Sequence, residues 1–202
     1  MRSVKMIKLF YWRAYCLVAL LALGALMGAL PAQAQAALPA DSLYWLDVPL
    51  SDASGKKLSL PELRGAPVLV TMFYGNCTTA CPIIIENLKR TVAAIKPTAG
   101  KLRVVMVSLD PARDNPATLT HLQQMHQLDP AIFRFAVSDN ASHTRTLAAA
   151  LGINYRVLDS GEINHNTRVT LLDAAGKVRA DSNANGVVPE PGFLKEIRKA
   201  MY

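Results

Sequence analysis

The chain has 202 residues, 51% of them hydrophobic, with three cysteines and a formal charge of +7. That length and apolar share favour one domain around a single full core. Four of the charges lie in the first 34 residues, which hold no acidic residue; the +3 left elsewhere, with no run of Lys or Arg, excludes nucleic acid as a partner.

Arg2, Lys5, Lys8 and Arg13 form a basic head, Ala14 to Leu30 is uncharged, and "PAQAQAA" offers Ala32-Gln33-Ala34 or Ala34-Gln35-Ala36 as a cleavage site. Basic head, apolar middle and small-residue site describe a secretory signal over residues 1–34. An uncleaved membrane anchor is the alternative, although 17 uncharged residues fall short of the ~20 that span a bilayer. Either way the rest of the chain is exported, with a periplasmic location expected and inner-membrane attachment if the signal stays. Cys16 would leave with the signal and lacks the small-residue context of a lipid-modified cysteine. Residues 35–42 read as an Ala-rich tether, and residues 43–202 as the domain.

"LYWLDVPLSDASGKKLSL" reads as two short strands about a Ser54-Gly55 turn, and "PELRG" as a helical turn ended by Gly65. "APVLVTMFY" is the continuous apolar run of a central strand covered on both faces. Ile84, Leu88, Val92 and Ile95 repeat at helical spacing up to Lys96-Pro97, with the regular helix expected to start at Pro82. "LRVVMVSL" is a second buried strand. Asn115 and Pro116 suit the cap and first position of the next helix, to which Leu119, Leu122 and Met125 lend an apolar side. "FRFAV" is a third strand, "SDNASHTRTLAAALG" a helix ended by Gly152, "TRVTLLDAAGKVRAD" a hairpin turning at Ala175-Gly176, and Gly192 to Met201 a last helix. This order is α/β and predicts a central mixed sheet with helices on both faces.

The reactive groups of such a sheet gather beyond the carboxyl ends of its strands. Cys77 and Cys81, in "GNCTTACP", sit there, just ahead of a helix whose first amides favour thiolates. Four residues apart, they are within range of a disulfide, of electron transfer, or of shared metal binding. A plain stabilising disulfide gains little from so short a loop. Of the four histidines, His121 and His126 point different ways on one helix and read as surface residues. His143 falls in a helix's first turn and reads as solvated. His165, in the polar loop "GEINHNTRV", can reach across to the strand ends. Cys, Cys and His form a soft donor set that suits copper(I) and accommodates copper(II). Zinc would want a fourth protein ligand, and none is evident.

"FYGNCTTACP", "VSLDPARDNPATL" and "INHNTRVTLLDAAGKV", in that order and spacing, resemble the Sco/SenC copper-binding proteins over residues 43–182. The resemblance implies a thioredoxin-like fold with an added β-hairpin. It implies copper held by Cys77, Cys81 and His165, with Asp110 of "SLDPARD" in a supporting role. It further implies a metallochaperone serving the dinuclear copper centre of a respiratory cytochrome oxidase, with a copper-accepting oxidase subunit and a thiol reductant or copper donor as partners. Thr78 stands where many members carry proline. The rival reading is a thioredoxin- or peroxiredoxin-like thiol–disulfide oxidoreductase using Cys77 and Cys81. Such enzymes typically have C-x-x-C and a cis-proline before the later hairpin, whereas this chain has no proline between Pro130 and Pro189.

Overall fold

In the computed structural model, which describes residues 37–98 and 100–202, the run Val68–Phe73 forms strand β3, and every one of its residues is buried. Successive side chains of a strand point to opposite faces, so complete burial requires cover on both sides of the sheet. The export signal read in residues 1–34, Cys16 with it, lies outside the described residues, as does the beginning of the tether. Among the described residues no helix is long and apolar enough to cross a membrane.

Two antiparallel strands, β1 (Leu50–Asp52) and β2 (Lys57–Leu58), flank the Ser54-Gly55 turn, and a short helical turn over Leu60–Leu63 precedes β3. Helix α1 (Ala80–Ile95) leads to β4 (Arg103–Ser108), α2 (Pro116–Met125) to β5 (Phe133–Ser138), and α3 (Ala141–Ala150) to a hairpin of β6 (Tyr155–Val157) and β7 (Ile163–His165). Strands β8 (Val169–Leu172) and β9 (Val178–Ser182) and helix α4 (Pro191–Met201) complete the unit. One seven-stranded sheet runs β2-β1-β5-β4-β3-β8-β9, while β6 and β7 form a separate two-stranded sheet. Strands β3, β4 and β5 are parallel neighbours, and β8 joins β3 antiparallel. The mixed sheet predicted from the element order is therefore present.

Local chemistry explains most of the boundaries. Asn115 caps α2 by accepting from the amides of Ala117 and Thr118, with Pro116 at the first position where a missing N–H costs nothing. Asn140 caps α3 in the same way through the His143 amide, and Gly152 ends it at φ +65°. Lys89 of α1 donates to the carbonyl of His126 just past α2, and Arg198 of α4 donates to Ala94 of α1, so these three helices share a layer. The remaining helix, α3, packs against β5 through the Ser138 and Thr144 hydroxyls, 2.5 Å apart.

Three local readings are corrected. Helix α1 begins at Ala80 rather than Pro82, so Cys81 is already helical. Pro82 sits in the first turn, where amides have no intrahelical partner to lose. Met125 is 56% exposed; α2 buries only Leu119 and Leu122, because the helix ends before a further turn could be covered. The polar stretch "GEINHNTRV" is a loop only in part: Ile163–His165 form β7, which pairs with β6 so that Tyr155 stands opposite His165 and Val157 opposite Ile163. This separate two-stranded sheet is the added β-hairpin that the family resemblance implies. Its strands are short and half-exposed and carry too few apolar residues for a period-2 signal, so periodicity alone does not place them.

Candidate metal centre

The sheet register builds the site. Val68, Leu69 and Val70 pair antiparallel with Leu172, Leu171 and Thr170. Extending that register beyond the ladder carries the chain after β3 alongside the chain before β8, which brings Tyr74 next to His165. Their rings meet edge to face, centroids 6.0 Å apart. The Cys77 amide donates to the Tyr74 carbonyl at 3.2 Å, turning the chain into α1.

Among the described residues, Cys77, Cys81 and His165 are the group able to hold a metal ion, each offering one ligand atom, all within 4.8 Å of one another. Both cysteines are free thiols; Cys81 is buried and Cys77 half-buried. The Cys81 amide, in the first turn of α1, donates to the Cys77 sulfur at 3.2 Å. On the histidine, Nδ1 lies 3.1 Å from the Asn166 carbonyl, which can only accept, so Nδ1 carries the proton. Nε2 is buried and meets no hydrogen-bond partner. A buried, unpartnered acceptor beside two sulfurs is the donor a soft metal needs, so the residues present fit copper.

The two thiols are not equivalent. A hydrogen bond from the Cys81 thiol, with the Cys81 and Thr79 amides adding to it, pulls Cys77 down to about 3 against the opposing effect of burial. The same hydrogen bond, reinforced by burial, pushes Cys81 well up, and the negative charges of Cys77 and Asp114 add to it. Without metal the pair holds one proton, on Cys81, and one thiolate, on Cys77. An ordinary thiol near 8.5 reacts roughly tenfold faster per pH unit below its pKa. Alkylation of Cys77 in the reduced, metal-free protein is therefore expected to keep a constant rate between pH 5 and pH 9, with Cys81 unlabelled. Peptide mapping after iodoacetamide treatment reads this directly, and a Cys77 rate that climbs steeply through pH 6–8 would contradict the asymmetry.

Asp110 does not join the three ligands. Buried at the end of β4, it ion-pairs with Arg113, whose other nitrogen donates to the Gly161 carbonyl at 2.6 Å in the turn between β6 and β7. Its support thus passes through Arg113 to the hairpin that carries His165. Sequence reasoning missed Asp114, only 7% exposed, which accepts from the Gly75 amide at 2.9 Å and the Ser108 hydroxyl at 2.5 Å. Burial raises its pKa, opposed by those two donors. A side chain on Gly75 would place its Cβ 2.3 Å from the Asp114 carboxylate, so glycine is required for this approach. In "DPARDNP" the sequence shows a second acidic residue ahead of the cap, but its partner Gly75 lies 39 residues away and leaves no local signal.

The other histidines stay apart from the sulfurs. His121 is exposed on α2, whereas His126 is half-buried just past its end, so the two do not share the helix as the sequence suggested. His143 is not simply solvated, because Nδ1 lies 2.5 Å from an Asp139 carboxylate oxygen. The site opens into a cleft of about 350 Å³ lined by Tyr74, Cys77, Thr79, Leu158, Glu162 and His165. A larger groove of about 680 Å³, between Tyr44 and Glu62, contains none of the metal-ligating residues and is remote from this chemistry.

Comparison with known proteins matches residues 47–201 to the SCO1/SenC family. The SCO1 protein homolog of Bacillus subtilis strain 168 is 24% identical over 148 residues, spanning 72% of this chain and 77% of its own. A SCO1/SenC family lipoprotein of Bacillus anthracis strain Ames superposes with a TM-score of 0.71 at 20% identity, over 82% of this chain and all of its own. Arabidopsis thaliana ScoI, solved with copper bound, gives a TM-score of 0.65 at 18% identity, over 75% of this chain and 96% of its own. The thioredoxin-like fold is shared with these structures.

Proposed function

The chain belongs to the SCO1/SenC family, and from that membership we propose that it is an exported copper chaperone. It binds one copper through Cys77, Cys81 and His165. It then delivers the metal to, or reduces the thiols of, the dinuclear copper centre of a respiratory cytochrome oxidase. The observation that carries this reading is the buried, unpartnered His165 Nε2 beside two cysteine sulfurs, the three ligand atoms within 4.8 Å of one another. Two thiolates leave one net negative charge with copper(I) and none with copper(II), so neither oxidation state imposes a large uncompensated charge on the site. Copper as cargo also suits the half-exposed position of Cys77, which an incoming ligand from an acceptor can approach through the cleft.

Metal analysis of the reduced protein tests the reading. One copper per chain is expected, with intense sulfur-to-metal charge-transfer absorption for copper(II). His165→Ala should weaken copper(II) most, since copper(I) can remain on two thiolates. Copper(II) bound as tightly by His165→Ala as by the parent would remove His165 from the ligand set. The oxidoreductase reading draws support from the thiolate of Cys77 beside a protonated Cys81, the arrangement of an attacking and a resolving thiol. Rapid catalytic reduction of disulfide substrates with no measurable copper affinity would favour it instead.

Export rests on the basic head, apolar segment and Ala-x-Ala sites of residues 1–34. Mass spectrometry of the mature protein should find a chain beginning at or near residue 35; a chain beginning near Met1 in the membrane fraction would mark the segment as an anchor.

A further inference from the structure

We propose that Asn166 is a positioning residue for the metal centre, fixing the tautomer and orientation of His165 so that Nε2 is presented to the metal. The inference rests on the copper reading of the site and assigns a task to a residue outside the ligand set. Asn166 follows His165 directly, at the open end of the β6–β7 hairpin, where its amide donates to the Asn154 carbonyl at 3.3 Å and extends the ladder by one step. Its side chain closes the same end twice. Oδ1 accepts from the Asn154 amide at 2.7 Å, and Nδ2 donates to the Gly152 carbonyl at 3.2 Å. Only this orientation of the side-chain amide satisfies both partners. Three bonds to one short stretch, where α3 ends and β6 begins, leave the Asn166 backbone little freedom.

What that backbone holds is the carbonyl that receives the His165 Nδ1 proton at 3.1 Å. A histidine with Nδ1–H engaged keeps its Nε2 lone pair free and its ring direction set. Outer-sphere partners of this kind orient metal-ligating histidines, and their loss typically lowers metal affinity about 10–100-fold. The usual partner is a carboxylate or a carbonyl; here it is a main-chain carbonyl whose placement depends on the side chain of its own residue. Removing the Asn166 amide frees the carbonyl to turn, and the imidazole can then rotate or carry its proton on Nε2, where it blocks coordination.

Two readouts test this, one of them without metal. In the reduced, copper-free protein, nitrogen-15 NMR should find the His165 imidazole in the Nδ1–H form, and Asn166→Ala should convert it to a mixture of tautomers. In copper titrations, Asn166→Ala should lose about 10–100-fold in copper(II) affinity, with copper(I) affected less because two thiolates retain it. Asn166→Asp keeps the acceptor for Asn154 but loses the donor to Gly152; its effect should fall between parent and alanine variant, and it serves if Asn166→Ala does not fold. An Nε2–H tautomer in the parent, or variants with the parent's tautomer and copper(II) affinity, would overturn the proposal. Failure of the parent to bind copper would defeat the copper reading alone, since the NMR comparison still decides what Asn166 does to the ring.

Discussion

Oxidising the protein until both thiols of Cys77 and Cys81 are lost is expected to abolish copper binding at one equivalent. The same two sulfurs cannot be bonded to each other and also donate as thiolates, and His165 alone is a poor site for either oxidation state. The geometry makes oxidation easy. The sulfurs lie within 4.8 Å of each other, Cys77 is the sulfur held toward its thiolate, and the cleft admits an oxidant to it. Bound copper should in turn protect both thiols from alkylation. The check is a copper titration of the oxidised, metal-free protein after a thiol assay has registered loss of two thiols, followed by reduction and a second titration. Recovery of one equivalent on reduction is the expected outcome. Unchanged binding after full oxidation would place the metal elsewhere in the chain.

Replacing Cys77 by serine should be the most damaging single substitution for copper. Cys77 supplies the sulfur that is a thiolate before metal arrives, whereas Cys81 must give up a proton that burial and the hydrogen bond to Cys77 hold on it. Without Cys77, Cys81 loses the neighbour to which it donates, and copper(I) is left with one thiolate and an imidazole. The loss in copper(I) affinity should exceed the roughly 100-fold ceiling of outer-sphere changes, because a ligand itself has gone. His165→Ala, by contrast, should spare copper(I) and strike copper(II). Competition with a chelator of known copper(I) affinity separates the two variants. Equal copper(I) losses in Cys77→Ser and His165→Ala would show that the thiolates do not carry the reduced metal.

Much of the fold was legible because its signals are local. Val68–Phe73 reads as a doubly covered strand from its unbroken apolar run, and it is buried throughout. Asn115 and Pro116 announce the start of α2 because capping and the fixed φ of proline act within one turn. The added hairpin, present as β6–β7, was expected from the family resemblance alone, because its strands are short and half-exposed and leave no period in the sequence. Asp114 escaped because a carboxylate serving the Gly75 amide cannot be told from a solvated one until both ends are placed.

By itself the sequence determined that two thiols four residues apart stand at the end of a buried strand and the start of a helix, with one histidine in a polar stretch far along the chain. Those facts need only periodicity, caps and covalent order. Which sulfur is the thiolate, which imidazole nitrogen is free and which residues hold them was decided by tertiary structure. Antiparallel pairing of β3 with β8 carries His165 back to the cysteines. Desolvation with one shared hydrogen bond divides their protons, and the bonds of Asn166 and Asp114 to distant main chain hold the loops in place. Proton position and ligand direction depend on distances of a few ångströms between segments remote in sequence, and only the folded sheet register sets those distances.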